Sequence, residues 1–199
     1  MTNRSRNVAI FIFDEVEVLD FCGPFEVFSI TGNQDESKPF NVYTVAEELR
    51  PVIARNNLSV NPHYSLRDCP PPDILLVPGG LGTRREMNNT TLVTWIKNCA
   101  QNTELVLSVC TGSLLLAKAG LLEGLTATTH HLALNDLKKV APNTIIDENK
   151  RFVDNGNVIV SAGISAGIDM SLHVIAKLLG REQAEKTARY MEYNWTLGS

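Results

Sequence analysis

The sequence is short of several things, and each shortage excludes something. No apolar run approaches the roughly 20 residues that a membrane-spanning helix needs, so no membrane partner is expected. Lys and Arg together number 18 of 199 residues against 22 Asp and Glu, giving a net charge of −4. The basic residues form no stripe, so nucleic acid is not an expected partner either. Cysteine is limited to Cys22, Cys69, Cys99 and Cys110, with no CxxC or zinc spacing. A chain of this length builds a core without disulfides. A reducing, cytoplasmic setting follows, with one or two thiols at most left for chemistry. The four histidines, His63, His130, His131 and His173, show no metal-ligand pattern, and neither metal nor other cofactor is expected. Met1 to Asn7 is polar and basic, and the apolar stretch behind it is broken by Asp14 and Glu15, which is unlike a secretory signal. No repeat, low-complexity tract or long linker appears, so residues 1–199 are read as one domain.

What is present is alternation. Val8 to Phe13 and Asp73 to Val77 are continuous apolar runs, the pattern of strands buried on both faces. Asn41 to Ala46 and Glu104 to Val109 read as further strands, and Val52 to Val60 as a short strand or hairpin. Leu125 to Thr129 reads as a short strand. Thr144 to Val153 and Asn157 to Ser161 flank an Asp154-Asn155-Gly156-Asn157 hairpin signal. Between them lie helical patterns: one opened by Pro24, then about Glu86–Ala100, Thr111–Ala119, Leu132–Val140, a helix ending near Leu179, and Glu182–Tyr193. Strands that alternate with helices predict a mostly parallel α/β sheet covered on both faces. Sites in such sheets gather at the carboxyl ends of strands. Four loops qualify: Asp14–Gly23, Pro78–Gly82, Ser108–Gly112 and Ser161–Gly167.

Cys110 stands where a strand turns into a helix. It is read either as a buried, inert thiol or as a nucleophile whose thiolate is stabilised by free amides and the helix dipole. Gly112 would relieve crowding just after it. Asp20 lies among apolar residues before a helix. It is read as a helix cap, or as a partly buried acid of raised pKa that holds or shuttles a proton. Glu15 and Glu17 are expected to be solvated, and Cys22 to pack as a small hydrophobe. Pro78-Gly79-Gly80-Leu81-Gly82 is either a plain tight turn or a source of N–H donors for developing charge. His130 and His131 end a predicted strand, where neighbours face opposite ways, so they form no ready metal pair. His130 has either a supporting role behind the thiol or a structural one. His63 reads as a solvated loop residue and His173 as a core or surface residue.

Four stretches together carry a resemblance: VAIFIFDEVEVLDFCGPFEVF, DILLVPGGLGT, VLSVCTGSLLLAKAGLLEGLTATTHH and NVIVSAGISAGIDMSLHVIA. In this order they resemble the ThiJ/PfpI superfamily, which is similar in fold to class I glutamine amidotransferases. Within it they look like isonitrile hydratases and the amidotransferase-like domains of some AraC-type regulators. The resemblance implies a flavodoxin-like three-layer sandwich with a nucleophile-elbow cysteine, usually as a homodimer. It implies that Cys110 is the nucleophile, with Thr111 and Asp20 beside it. Gly79, Gly80, Leu81 and Gly163 would bind substrate, with His130 behind. The implied reaction is cofactor-free hydration of a small isonitrile to a formamide. A redox or small-molecule sensor using Cys110 and a glyoxalase- or amidase-like hydrolase using His130 are the alternatives. Thr111 stands where the PfpI proteases carry His, which speaks against peptidase activity. No helix-turn-helix extension is seen, which speaks against a regulator. Cys22 replaces a Thr, and His131 a Trp, of the hydratase pattern, and both departures bear on substrate choice.

Overall fold

The computed structural model describes residues 4–33 and 38–195. In chain order the elements begin with β1 (Arg6–Phe11), α1 (Val18–Ile30) and β2 (Phe40–Ala46). The small strands β3 (Val52–Ile53), β4 (Ser59–Val60) and β5 (Tyr64–Ser65) follow, then β6 (Ile74–Val77). Next come α2 (Thr83–Glu86), α3 (Thr90–Ala100), β7 (Leu105–Val109) and α4 (Gly112–Lys118). The remainder is β8 (Thr126–Ala127), α5 (Leu134–Val140), β9 (Ile145–Ile146), β10 (Phe152–Asp154), β11 (Val158–Ser161), α6 (Ala166–Leu179) and α7 (Arg181–Tyr190).

The main sheet runs β10-β11-β7-β6-β1-β2-β5. All its pairings are parallel except β10 with β11. The predicted apolar runs are its central strands: Val8 to Phe11, Ile74 to Val77 and Leu105 to Val109 are all buried. Helices α1, α6 and α7 pack together on one side, and α2, α4, α3 and α5 on the other. This is the three-layer α/β fold that the alternation implied. The order reverses at β1: the chain crosses to β2 on one side, then returns to β6 on the other. The crevice at the carboxyl ends of β1 and β6 is therefore the place for a site.

Several boundaries differ from expectation. The first helix begins at Val18, and Pro24 lies inside it. The residues before Pro24 include Asp20, Phe21, Cys22 and Gly23, all weaker helix formers than Leu or Ala, so only the proline showed as a start. The helix expected from Glu86 is two pieces, because Asn89 caps a fresh start with its Oδ1 accepting from Leu92 N–H (3.2 Å). The strand expected over Thr144–Val153 is two short segments, β9 and β10, in different sheets. The strand expected over Leu125–Thr129 keeps only Thr126 and Ala127. The hairpins at 52–60 and 152–161 form as antiparallel pairs.

Candidate functional site

Backbone geometry builds the site from strand ends. Cys110 follows β7 directly and adopts a positive φ of 56°, a region that non-glycine residues seldom occupy. The corner is held from several sides. Cys110 N–H donates to Ser161 O (3.1 Å) and Ala162 O (3.2 Å). Its carbonyl accepts from Thr129 Oγ1 (2.9 Å) and Ser113 Oγ (3.1 Å). Gly112 is needed because a Cβ there would press on Val77 O. Neighbouring structure thus over-determines a strained residue, which is how such strain persists.

Asp20 arrives from the β1 side. Glu17 N–H donates to Gly79 O (2.9 Å), and Val16 bridges Gly80, which ties the start of α1 to the glycine loop after β6. Asp20 is fully buried, and its Oδ2 accepts from Gly79 N–H (3.0 Å). It does not cap its own helix. Oδ1 is buried and, among the described residues, meets no N–H or hydroxyl donor, which leaves the Cys110 thiol facing the carboxyl. Burial pushes the Asp20 carboxyl from 3.8 up to about 7, against the opposing pull of the Gly79 N–H and the Cys110 thiol.

In its ionisation the thiol departs from the stabilised-thiolate reading and follows the buried-thiol one. Burial, and next the charge of Asp20, raise the Cys110 pKa, while the N–H and hydroxyl of Thr111 pull the other way. The helix that starts here has seven residues and its field does not prevail. Cys110 is only 6% exposed, so desolvation of the charged form wins. The neutral resting state of the pair therefore keeps a proton on sulfur, and Asp20 is the group that titrates near neutrality.

The glycine loop departs from the N–H-donor reading at Gly79 and Gly80. The amides of Gly79 and Gly80 are not free donors: Gly79 N–H goes to Asp20, and Gly80 N–H goes to Thr111 Oγ1 (3.0 Å). Buried Thr83 donates to Gly80 O (2.8 Å) and to Thr111 Oγ1 (3.1 Å). The loop thus positions Asp20 and Thr111. Gly163 approaches closely, since a Cβ on it would lie 3.0 Å from Cys110 Sγ and also meet the His130 ring.

His130 and His131 do not point apart. They lie past the strand, where the period of two no longer applies, and their rings sit 4.3 Å apart. His130 Nδ1 accepts from Leu132 N–H (3.2 Å), which puts its proton on Nε2. Burial and His131 hold its pKa low, so it is neutral at pH 7. His63 is exposed with Nδ1 near Thr44 Oγ1 (2.9 Å), and His173 meets Asp154 (2.8 Å) away from this site. Cys22 is half-buried against the core.

A cavity of about 180 Å3 opens beside Cys110, lined by Gly80, Leu81, Thr111, His130 and Ile164. Glu17, Arg55 and Arg84 line it too. The structure thus brings Cys110, Asp20, Thr111, Gly79, Gly80, Leu81, Gly163 and His130 to one end of the sheet. Glu15 is half-exposed, but Glu17 is not simply solvated. Sequence reading also missed Thr83, one residue past the glycine loop, and Arg55, in a polar turn with no local signal. Among the described residues no group of acidic, Cys and His side chains could hold a metal ion, and no helix is long and apolar enough to cross a membrane.

These features define an α/β protein with a buried thiol on a strand-to-helix corner of a parallel sheet. The chain belongs to the DJ-1/PfpI family, whose sequence profile matches residues 6–177. It is 34% identical over 186 residues to the isonitrile hydratase of Pseudomonas putida, covering 94% of this chain and 78% of that one. It is 26% identical to the HTH-type transcriptional regulator GbdR of Pseudomonas aeruginosa, covering 89% of this chain and 48% of the regulator, so it spans about half of that protein. Its structure resembles that of a ThiJ/PfpI family protein from Pseudomonas syringae, with a TM-score of 0.86 at 28% identity over 98% of this chain and 78% of the other.

Proposed function

We propose that this protein is an isonitrile hydratase-like hydro-lyase in which Cys110 is the nucleophile and Asp20 the proton carrier. One observation carries the reading: a fully buried carboxyl, held on one oxygen by Gly79 N–H and raised by burial to about 7, lies beside a thiol that keeps its proton. Similarity to a named isonitrile hydratase along most of the chain supports the substrate class.

The steps follow from the pair. Asp20 takes the thiol proton as sulfur attacks the terminal carbon of R–N≡C. Asp20 returns that proton to the same carbon, giving the thioimidate R–N=CH–S–Cys. Water adds to this carbon, with one of its protons passing to nitrogen. The C–S bond breaks, sulfur regains a proton, and R–NH–CHO leaves. A carboxyl titrating near neutrality suits both directions of this transfer, since its two forms are populated together. Thr111, fixed by Gly80 and Thr83, orients the incoming groups. Gly163 keeps the approach to sulfur open.

The hydrolase alternative is disfavoured because His130 Nδ1 is already occupied by Leu132 N–H. The sensor alternative is disfavoured because oxidation favours exposed thiolates, whereas Cys110 is buried and raised. Protein mixed with excess aliphatic isonitrile and quenched in acid tests the covalent step. The expected result is a mass gain equal to one isonitrile on the Cys110 peptide. Steady formamide production with no adduct at any quench time, and undiminished in Cys110→Ala, would overturn it.

A further inference from the structure

The cavity beside Cys110 carries charge that hydration of a simple isonitrile does not use. Arg55 opens the turn between β3 and β4, and its N–H donates to Val16 O (2.9 Å) beside the start of α1. Asn56 and Asn57 both take positive φ, 58° and 63°, which fixes this turn and so where Arg55 is presented. Its side chain is half-buried and, among the described residues, has no ion-pair or hydrogen-bond partner. Neighbouring arginines are engaged: Arg50 by Asp14 and Arg85 by Glu86. Arg84, also on the cavity wall, pairs with Asp136 at 3.2 Å, but both side chains are 43% exposed, so the pair is weak and Arg84 is open to a competing anion. Glu17 is the opposing charge. Its field falls on Asp20 and on His130, where the field of Arg84 opposes it. Leu81 and Leu132 supply apolar wall at the mouth, 51% and 78% exposed.

We infer that the site takes a small anionic substrate, with its reacting carbon at Cys110 and a carboxylate or similar group held by Arg55, Arg84 adding a second positive charge. The isonitrile part of this substrate rests on the function proposed above, whereas the recognition of an anion does not. The volume sets the scale: about 180 Å3 is below the roughly 300–1,000 Å3 of pockets for drug-sized ligands, so the molecule is small. A guanidinium matches a carboxylate with two parallel donors, which no other side chain offers.

Two alkylating agents of similar size test this without any assumption about turnover. Iodoacetate carries a carboxylate, and iodoacetamide is neutral. Their rates at the Cys110 peptide are read by mass spectrometry, and their ratio is compared with that for N-acetylcysteinamide. The ratio in the wild type is expected to exceed the free thiol's by about tenfold, the equivalent of about 1.4 kcal/mol. It should fall most of the way to the free-thiol ratio in Arg55→Gln, be kept only in part in Arg55→Lys, which retains the charge but not the paired donors, and shrink at high salt. Unchanged circular dichroism and melting temperature establish that the variants are folded. A wild-type ratio no higher than the free thiol's, or one that survives Arg55→Gln, would overturn the inference. Isocyanoacetate and its neutral amide are then compared as substrates. If neither is hydrated while the alkylation ratio holds, the hydratase reading fails and anion recognition stands. If both are hydrated equally and the ratio is that of the free thiol, the reverse is true.

Discussion

Replacing Asp20 with Asn should make the folded protein more stable at neutral pH while removing its chemistry. The carboxyl is fully buried, with one oxygen held by Gly79 N–H and the other, among the described residues, without an N–H or hydroxyl donor. Burial raises its pKa from 3.8 to about 7. A group raised on folding favours the folded state fully below its unfolded pKa and loses that contribution as pH rises to its folded pKa. The window here runs from about pH 4 to about pH 7. A shift of about three pKa units at about 1.4 kcal/mol each makes the ionised carboxylate cost roughly 4 kcal/mol. An asparagine side chain keeps an oxygen for Gly79 N–H and never ionises. Urea unfolding at pH 4.5 and pH 7.5, on wild type and Asp20→Asn, measures the effect. Groups away from Asp20 and Cys110 titrate alike in both proteins and cancel in the difference. The stability of the Asp20→Asn variant relative to wild type should rise by several kcal/mol between the two pH values. A change below about 1 kcal/mol would mean that Asp20 titrates as an ordinary carboxyl, and the proton-carrier argument would be lost.

Three further outcomes follow from the same geometry. Because the charge of Asp20 helps to hold the Cys110 thiol protonated, Asp20→Asn should lower the thiol pKa and quicken its reaction with iodoacetamide near pH 8, even as hydration stops. A slower reaction would show that Asp20 activates the thiol in the resting enzyme. Gly163→Ala places a methyl group about 3.0 Å from Cys110 Sγ and against His130, and should lower kcat/KM at least tenfold with a stability loss of about 1–3 kcal/mol by denaturant melt. Leu107→Ala empties part of the fully buried centre of β7 and should cost about 2–5 kcal/mol in urea unfolding.

The parts of the fold that showed in the sequence are those where burial dictates composition. Strand β1 from Val8 onward, β6 and β7 are buried on both faces, so their residues are apolar apart from Ser108, and the runs mark them. Cys110 showed for the same reason: an apolar strand that ends in Val109-Cys110-Thr111-Gly112 has to turn there. Asp20 showed as a residue but not as a position. Pro24 masked the true helix start, and only the bond from Gly79, 59 residues away, explains where its carboxyl points. The proton's place on Cys110 was illegible, because it is set by three-dimensional burial outweighing a local helix field. Arg55 had no signal at all. It lies in a polar turn of the kind usually left to solvent, and only the packing of β3 and β4 against the Val16 segment brings it to the cavity.

Formamide formation from a small isonitrile, followed for wild type, Cys110→Ala and Asp20→Asn under one set of conditions, tests the central claim most directly. The account predicts formamide from wild type and essentially none from either variant, although Asp20→Asn remains folded and its thiol still alkylates. Formamide from Asp20→Asn at the wild-type rate, or none from wild type with a fully reactive Cys110, would contradict it.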